Sequence, residues 1–183
     1  MKITDVKTFV VDRGSTNYVF VKLYTDVGID GVGEATLEGK ELSVVAAIQE
    51  VARGIVDKNP LDIEAHWRRW HMTSCWKGVT DFTAISGLEQ AMWDIAGKAY
   101  DTPVYRLLGG PVRDSVRAYT WPGPYESPEE CGQAAAHAVD PYVSVELDED
   151  VVRAATVHHE GLDVGDFHEI PPHGCRAGSP IIA

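Results

Sequence analysis

The sequence predicts an α+β fold: a three-stranded antiparallel meander followed by a helical bundle, then one β/α unit and an irregular acidic C-terminal tail. Three observations predict it. From Ile3 to Thr36 the chain is β-branched, loosely alternating and broken by short polar turns. From Lys40 onward helical periodicity takes over. Asp81–Gly110, DFTAISGLEQAMWDIAGKAYDTPVYRLLGG, carries the longest clean helical pattern in the chain. Strands first and helices after is the order of a sheet covered on one face by helices.

Taken in order, Ile3–Val11 reads as the first strand and Asp12–Asn17 as a polar loop. Tyr18–Thr25 alternates well and reads as the second strand. Asp26–Gly31 is a turn whose glycines suit positive φ, and Gly31–Thr36 a shorter third strand. Lys40–Val56 places Leu42, Val45, Ile48 and Val51 near helical spacing. Asn59-Pro60 opens a second helix, LDIEAHWRRWHM, and Thr73–Thr80 is a loop. In the long helix, Ile85, Leu88, Met92 and Ile95 recur at helical spacing beside a small-residue strip of Ala84, Gly87 and Ala91. Small residues let another element approach closely, so this helix is expected between two layers. Pro103 suits the first turn of a short helix that Gly109-Gly110 ends.

Asp114–Trp121 reads as a new strand, followed by the loop PGPYESPEE, with Ser127 as N-cap of a helix and Glu130 in capping-box position. This gives three regions: 1–113, an α+β domain; 114–139, one β/α unit; and 140–183, an acidic segment expected to be poorly ordered. Charge follows the same division. Through Arg117 there are 14 Lys and Arg against 16 Asp and Glu; beyond it there are 2 against 12, with no lysine. Such asymmetry marks a passage from folded domain to solvated tail.

Hydrophobic content of 44% and 183 residues suffice for one real core. The formal net charge of −12 argues against nucleic acid or an anionic membrane as partner. Cys75, Cys131 and Cys175 are too widely spaced for a CxxC metal site or a disulfide framework. No segment reaches the roughly 20 apolar residues of a membrane span, and MKITDVKTFVV lacks the pattern of a secretory leader. A cytoplasmic location is expected.

AISGLEQAMWDIAGKAYDTPVYRLLGG resembles the cap-domain signature of the enolase superfamily in its mandelate racemase/muconate lactonizing enzyme-like branch. GEATLEGKELSV, CWKG and VRAYTW look most like the acid-sugar dehydratases of the galactonate and mannonate type. The resemblance runs continuously over about Met1–Trp121, with several separated motifs in the right order. It implies an N-terminal capping domain followed by a (β/α) barrel, and a lyase that abstracts a proton α to a carboxylate. Mg²⁺ would stabilise the enediolate, with Lys or His as base. The family's Lys-x-Lys pair, three acidic ligands on successive barrel strands and His-Asp pair find no match. The seven lysines, Lys2, Lys7, Lys22, Lys40, Lys58, Lys77 and Lys98, include no two separated by one residue. A barrel takes about 200 residues, and 66 follow Arg117. No catalytic and no metal residue is therefore assigned, and no cofactor is expected in this chain, with Mg²⁺ expected for the full-length family. DPYVSVELDEDVV resembles the segment that returns from barrel to cap, as though the middle of the family pattern were missing.

The resemblance leaves the cap's share of a substrate pocket: Arg13 and Asn17 in the first loop, Glu38 and Lys40 in TLEGK, Trp76 and Lys77 in CWKG, and Trp121 at the end of the first barrel-like strand. Arg13 and Lys77 read either as partners of a substrate carboxylate or as exposed loop cations. Glu38 leans toward the galactonate type, or is a solvated residue. Trp76 and Trp121 read as pocket or as packing. Asp94 reads as a structural hydrogen-bonding partner. His158, His159, His168 and His173 read as solvated or structural rather than metal-binding. The run Glu146–Asp150 reads as an acidic face without the glycine and distal glutamate of a calcium loop.

Three functions follow as expectations. The chain is an active sugar-acid dehydratase; or a truncated, non-catalytic cap that self-associates through a face meant for the barrel; or a module that docks on a separately encoded barrel. The second is the reading adopted, with a sugar-acid substrate only if a barrel is supplied, and with no nucleic acid or membrane as partner.

Overall fold

The computed structural model describes residues 1–12, 17–73, 77–113, 115–117, 127–138 and 144–146. Two compact units divide the chain, Met1–Val104 falling in the first and Tyr105–His159 forming the second.

In the first unit, β1 (Ile3–Asp12), β2 (Asn17–Thr25) and β3 (Gly31–Glu34) form an antiparallel sheet in the order β1-β2-β3. The β1–β2 register runs from Ile3↔Thr25 to Asp12↔Asn17, and β2–β3 from Phe20↔Glu34 to Leu23↔Gly31. The alternation of β2 becomes a two-faced strand. Val19, Val21 and Leu23 are fully buried on one side. Lys22 and Tyr24 lie on the other, with the Lys22 ammonium 4.8 Å from the Tyr24 ring centroid.

Against the buried face pack α1 (Glu41–Ala52) and α3 (Val79–Ala99), with α2 (Ile63–Thr73) against α3. The core comprises Val44 and Ile48 of α1, the β2 triad, and Ala84, Leu88, Ala91, Met92 and Ile95 of α3. Leu88, Met92 and Ile95, with the buried Ile85, are the positions whose helical spacing marked α3 in the sequence, and Ala84 and Ala91 belong to its small-residue strip. α1 is shorter than the expected Lys40–Val56. After Ala52 the chain turns through Gly54 and through Asp57 at φ 64, and Asp57 N–H donates to Ile3 O at 2.9 Å. Ile3 N–H in turn donates to Lys58 O at 2.9 Å. The helix ends because its continuation is tied to the start of β1. α3 begins at Val79 rather than Asp81. The Asp81 carboxylate accepts the Gly78 N–H at 2.9 Å, so Asp81 caps the first turn from inside the helix.

α4 (Val104–Leu107) closes where Gly110 N–H donates to Tyr105 O at 2.9 Å. In the second unit, β4 (Ser115–Arg117) pairs antiparallel with β5 (Ser144–Glu146), and α5 (Pro128–Ala138) lies between them in sequence. Ser127 caps α5 as expected, its hydroxyl accepting the Glu130 N–H at 3.2 Å. β4 falls within the strand read at Asp114–Trp121, whose remaining residues, 114 and 118–121, lie outside the described residues, and β5 falls in a segment for which no strand was read. The order expected of the remaining tail, 147–183, lies outside the described residues. Among those described, no helix is long and apolar enough to cross a membrane.

Candidate functional site at the loop end of the sheet

The site is built from the crossing of α3 over β3. Gly31 and Gly33 face the helix with no side chain between. A Cβ on Gly33 would stand 2.0 Å from Gly87 O, and one on Gly31 2.0 Å from Ala91 O. Only glycine admits this approach. The contacts order the helix against the strand: Gly87 lies by Ala35, Ala91 by Gly33 and Gly31, and Lys98 by Asp30. α3 thus runs antiparallel to β3, and its first turns stand beside Thr36, two residues past the end of β3.

Side chains of α3 also occupy the free edge of β3. Gln90 takes the Glu34 N–H on its Oε1 and returns its amide to Glu34 O, both at 3.2 Å. Asp94 Oδ2 accepts the Val32 N–H at 2.9 Å. Lys98 Nζ donates to Asp30 O and to Asp94 Oδ2, each at 2.8 Å. The three side chains stand four residues apart, about 6 Å along a helix. Alternate strand residues are about 6.6 Å apart. The near match lets one helix face serve successive edge groups of one strand. Asp94 is thus a structural hydrogen-bonding partner, as read.

At the end of the sheet where β3 stops lie the start of β2, the turn that follows β3 and the start of α3. Asn17 is the first residue of β2, half-buried, and opposite Asp12. Glu38 and Lys40 are exposed on either side of Gly39, in a turn closed by the Lys40 N–H to Leu37 O bond at 3.0 Å. Gly39 has φ +70, and its N–H donates to the Glu41 carboxylate at 3.0 Å. Lys77 is half-buried and donates through Nζ to the Trp70 carbonyl near the end of α2. Asn17, Glu38, Lys40 and Lys77, from three separated stretches, therefore belong to one end of the domain. Arg13, Trp76, Trp121, His158, His159, His168 and His173, with Cys75 and Cys175, lie outside the described residues, as does 147–150 of the acidic run. Cys131 is exposed and free.

Beside these turns lies an open groove of about 450 Å³, lined by Glu34 and Thr36 of the β3 end and by Val79, Phe82, Thr83, Ser86 and Gln90 of α3. Its walls are hydroxyls, an amide and one carboxylate, and its apolar parts are Val79 and Phe82. Several polar groups already have partners: Thr83 donates to Val79 O at 2.8 Å, and Thr36 accepts the Val19 N–H at 3.1 Å. The groove suits a polar, hydroxylated ligand or a docking chain better than it suits acid–base work. Sequence reading did not single these residues out, although Val79, Thr83, Ser86 and Gln90 recur at helical spacing on one face. Among the described residues, no three His, Cys, Asp or Glu side chains stand together to hold a metal ion. The described residues therefore do not fit the Mg²⁺ that the resemblance implies.

A meander whose last strand is clasped by one long helix, with a groove between that helix and the strand's end, defines a capping-type α+β domain. The chain belongs to the mandelate racemase / muconate lactonizing enzyme N-terminal domain family, which it matches over residues 2–109. It is 40% identical over 124 residues to the D-galactonate dehydratase of Variovorax paradoxus, covering 67% of this chain and 32% of that protein. Its fold is similar to a member of the enolase superfamily from Salmonella Typhimurium, with TM-score 0.67 and 32% identity over 75% of this chain and 39% of that one. An enolase from Pantoea ananatis, solved with bound D-gluconate and Mg, is similar with TM-score 0.60 and 36% identity over 64% of this chain and 29% of that one. The chain spans about a third of the length of the curated relatives it matches.

Proposed function

We propose that this chain is the capping part of a Mg²⁺-dependent acid-sugar dehydratase of the galactonate type, and that alone it does not turn over a sugar acid. The observation that carries the reading is the 40% identity to a D-galactonate dehydratase, placed on about a third of that protein. In this reading the cap selects the substrate and a barrel performs the chemistry. Arg13 and Lys77 pair with the substrate carboxylate, Asn17, Glu38 and Lys40 meet its hydroxyls, and Trp76 and Trp121 wall the pocket. The gathering of Asn17, Glu38, Lys40 and Lys77 at one end of the sheet supports a shared surface. Exposed Met72, Val79 and Phe82, at 80%, 66% and 45% exposure, support docking of that surface on a barrel or on another copy. The protein works in the cytoplasm, a placement supported by its scattered cysteines.

The test is an assay of the purified chain with Mg²⁺ against a panel of sugar acids that includes D-galactonate and D-gluconate. No keto-acid product above background is expected. Turnover would overturn the division of labour.

A further inference from the structure

We infer that the Gln90–Asp94–Lys98 ladder of α3 acts as a substitute fourth strand that keeps β3 from pairing with β3 of a second copy. Among the described residues β3 is an edge strand, and edge strands with unpaired N–H and C=O groups template further pairing. The groups at stake are identifiable. Ala35 N–H donates to Val19 O at 2.8 Å, so the backbone groups of Gly31, Gly33 and Ala35 face β2. Those of Asp30, Val32 and Glu34 face the free edge, and these are the groups that Lys98, Asp94 and Gln90 engage.

The same edge is self-complementary. Two copies of β3 related by a two-fold axis through Gly33 would set Val32 opposite Glu34 in both directions. Each such pair exchanges N–H and C=O bonds as in any antiparallel ladder. No like charges would then face each other, because Glu34 meets Val32 rather than Glu34. Such pairing uses the Val32 N–H and both backbone groups of Glu34, so it and the ladder exclude one another. This reading rests on contacts within the cap and is independent of the dehydratase proposal.

The experiment is sedimentation velocity of the full chain over about a hundredfold range of concentration, where mass action reveals a dimer. Three forms are compared: parent, the Gln90→Ala/Asp94→Ala variant, and that variant with Val32→Pro added. The Val32 N–H points away from β2, so proline there removes an edge donor and no ladder bond within the sheet. The double variant should dimerise at least about tenfold more tightly than the parent, and Val32→Pro should abolish that gain. A double variant that melts cooperatively and sediments like the parent would overturn the inference. So would a gain in association over the parent that Val32→Pro leaves intact. If the double variant does not fold, Gln90→Ala alone, at an exposed position where alanine favours helix, is read in the same way. It must shift toward dimer, reversibly by Val32→Pro, and the absence of that shift counts equally against the inference.

Discussion

The carboxylate of Asp94 holds the backbone N–H of Val32 at 2.9 Å, 62 residues away along the chain, and holds Lys98 at 2.8 Å with the same oxygen. An acid on the central helix of a sugar-acid-dehydratase-like cap invites a catalytic role. Its geometry spends it on joining helix to strand. The side chain is only 18% exposed, and its two partners are a backbone donor and a cation.

Asp94→Ala is therefore expected to destabilise the first unit by about 1–3 kcal/mol, the cost of leaving a part-buried amide without its acceptor. Asp94→Asn keeps an acceptor for Val32 and should lose less. Urea denaturation of the two variants against the parent checks this order. Equal losses would mean that the Val32 bond carries little of the effect.

Gly33→Ala tests the close approach. With a Cβ set 2.0 Å from Gly87 O, strand and helix must separate, and overpacking of this kind costs about 1–3 kcal/mol or more. Gly132→Ala is the control: it lies in α5 with nothing within 4 Å of an added Cβ. Alanine there should stabilise that helix by up to about 1 kcal/mol. Thermal melting of both variants separates the cases.

Leu88 of α3 is fully buried in the core of the first unit. Leu88→Ala should cost about 2–5 kcal/mol through lost transfer energy and the cavity left behind. Denaturant titration reads the loss. A loss below 1 kcal/mol would contradict the packing described here.

In the second unit, Ser127→Ala removes the acceptor for the Glu130 N–H. About 1 kcal/mol of helix stability should go with it. Faster amide hydrogen exchange at the first turn of α5, with the β1–β3 sheet unchanged, is the expected signature. Unchanged exchange there would deny Ser127 its capping role.

Much of this architecture is legible in the residues, and the gaps have physical causes. Val19, Val21 and Leu23 alternate because one face of β2 is buried. Ile85, Leu88, Met92 and Ile95 recur because one stripe of α3 is. Burial writes itself into side-chain chemistry. The clasp of α3 on β3 does not, since the partners of Gln90, Asp94 and Lys98 are backbone groups of a strand far away in sequence. Their four-residue spacing is visible, but what they hold is not. The end of α1 was hidden for a similar reason, because Asp57 and Ile3 meet through backbone atoms. Starting α3 at Asp81 left Val79 outside the helix and so concealed the stripe Val79, Thr83, Ser86, Gln90 that walls the groove. Among the candidate residues, Asn17, Glu38, Lys40 and Lys77 are grouped by the resemblance alone, since spacing in the sequence says nothing of which end of the sheet each belongs to.

In the proposed function, residues 1–113 act as a cap of the galactonate dehydratase type. This is tested most directly by grafting them onto the D-galactonate dehydratase of Variovorax paradoxus in place of the matching segment, then measuring kcat and KM for D-galactonate with Mg²⁺. The account predicts a folded chimera that dehydrates D-galactonate, with kcat near that of the host and KM raised by Lys77→Ala. A chimera that folds and keeps its barrel intact yet shows no dehydration would contradict it.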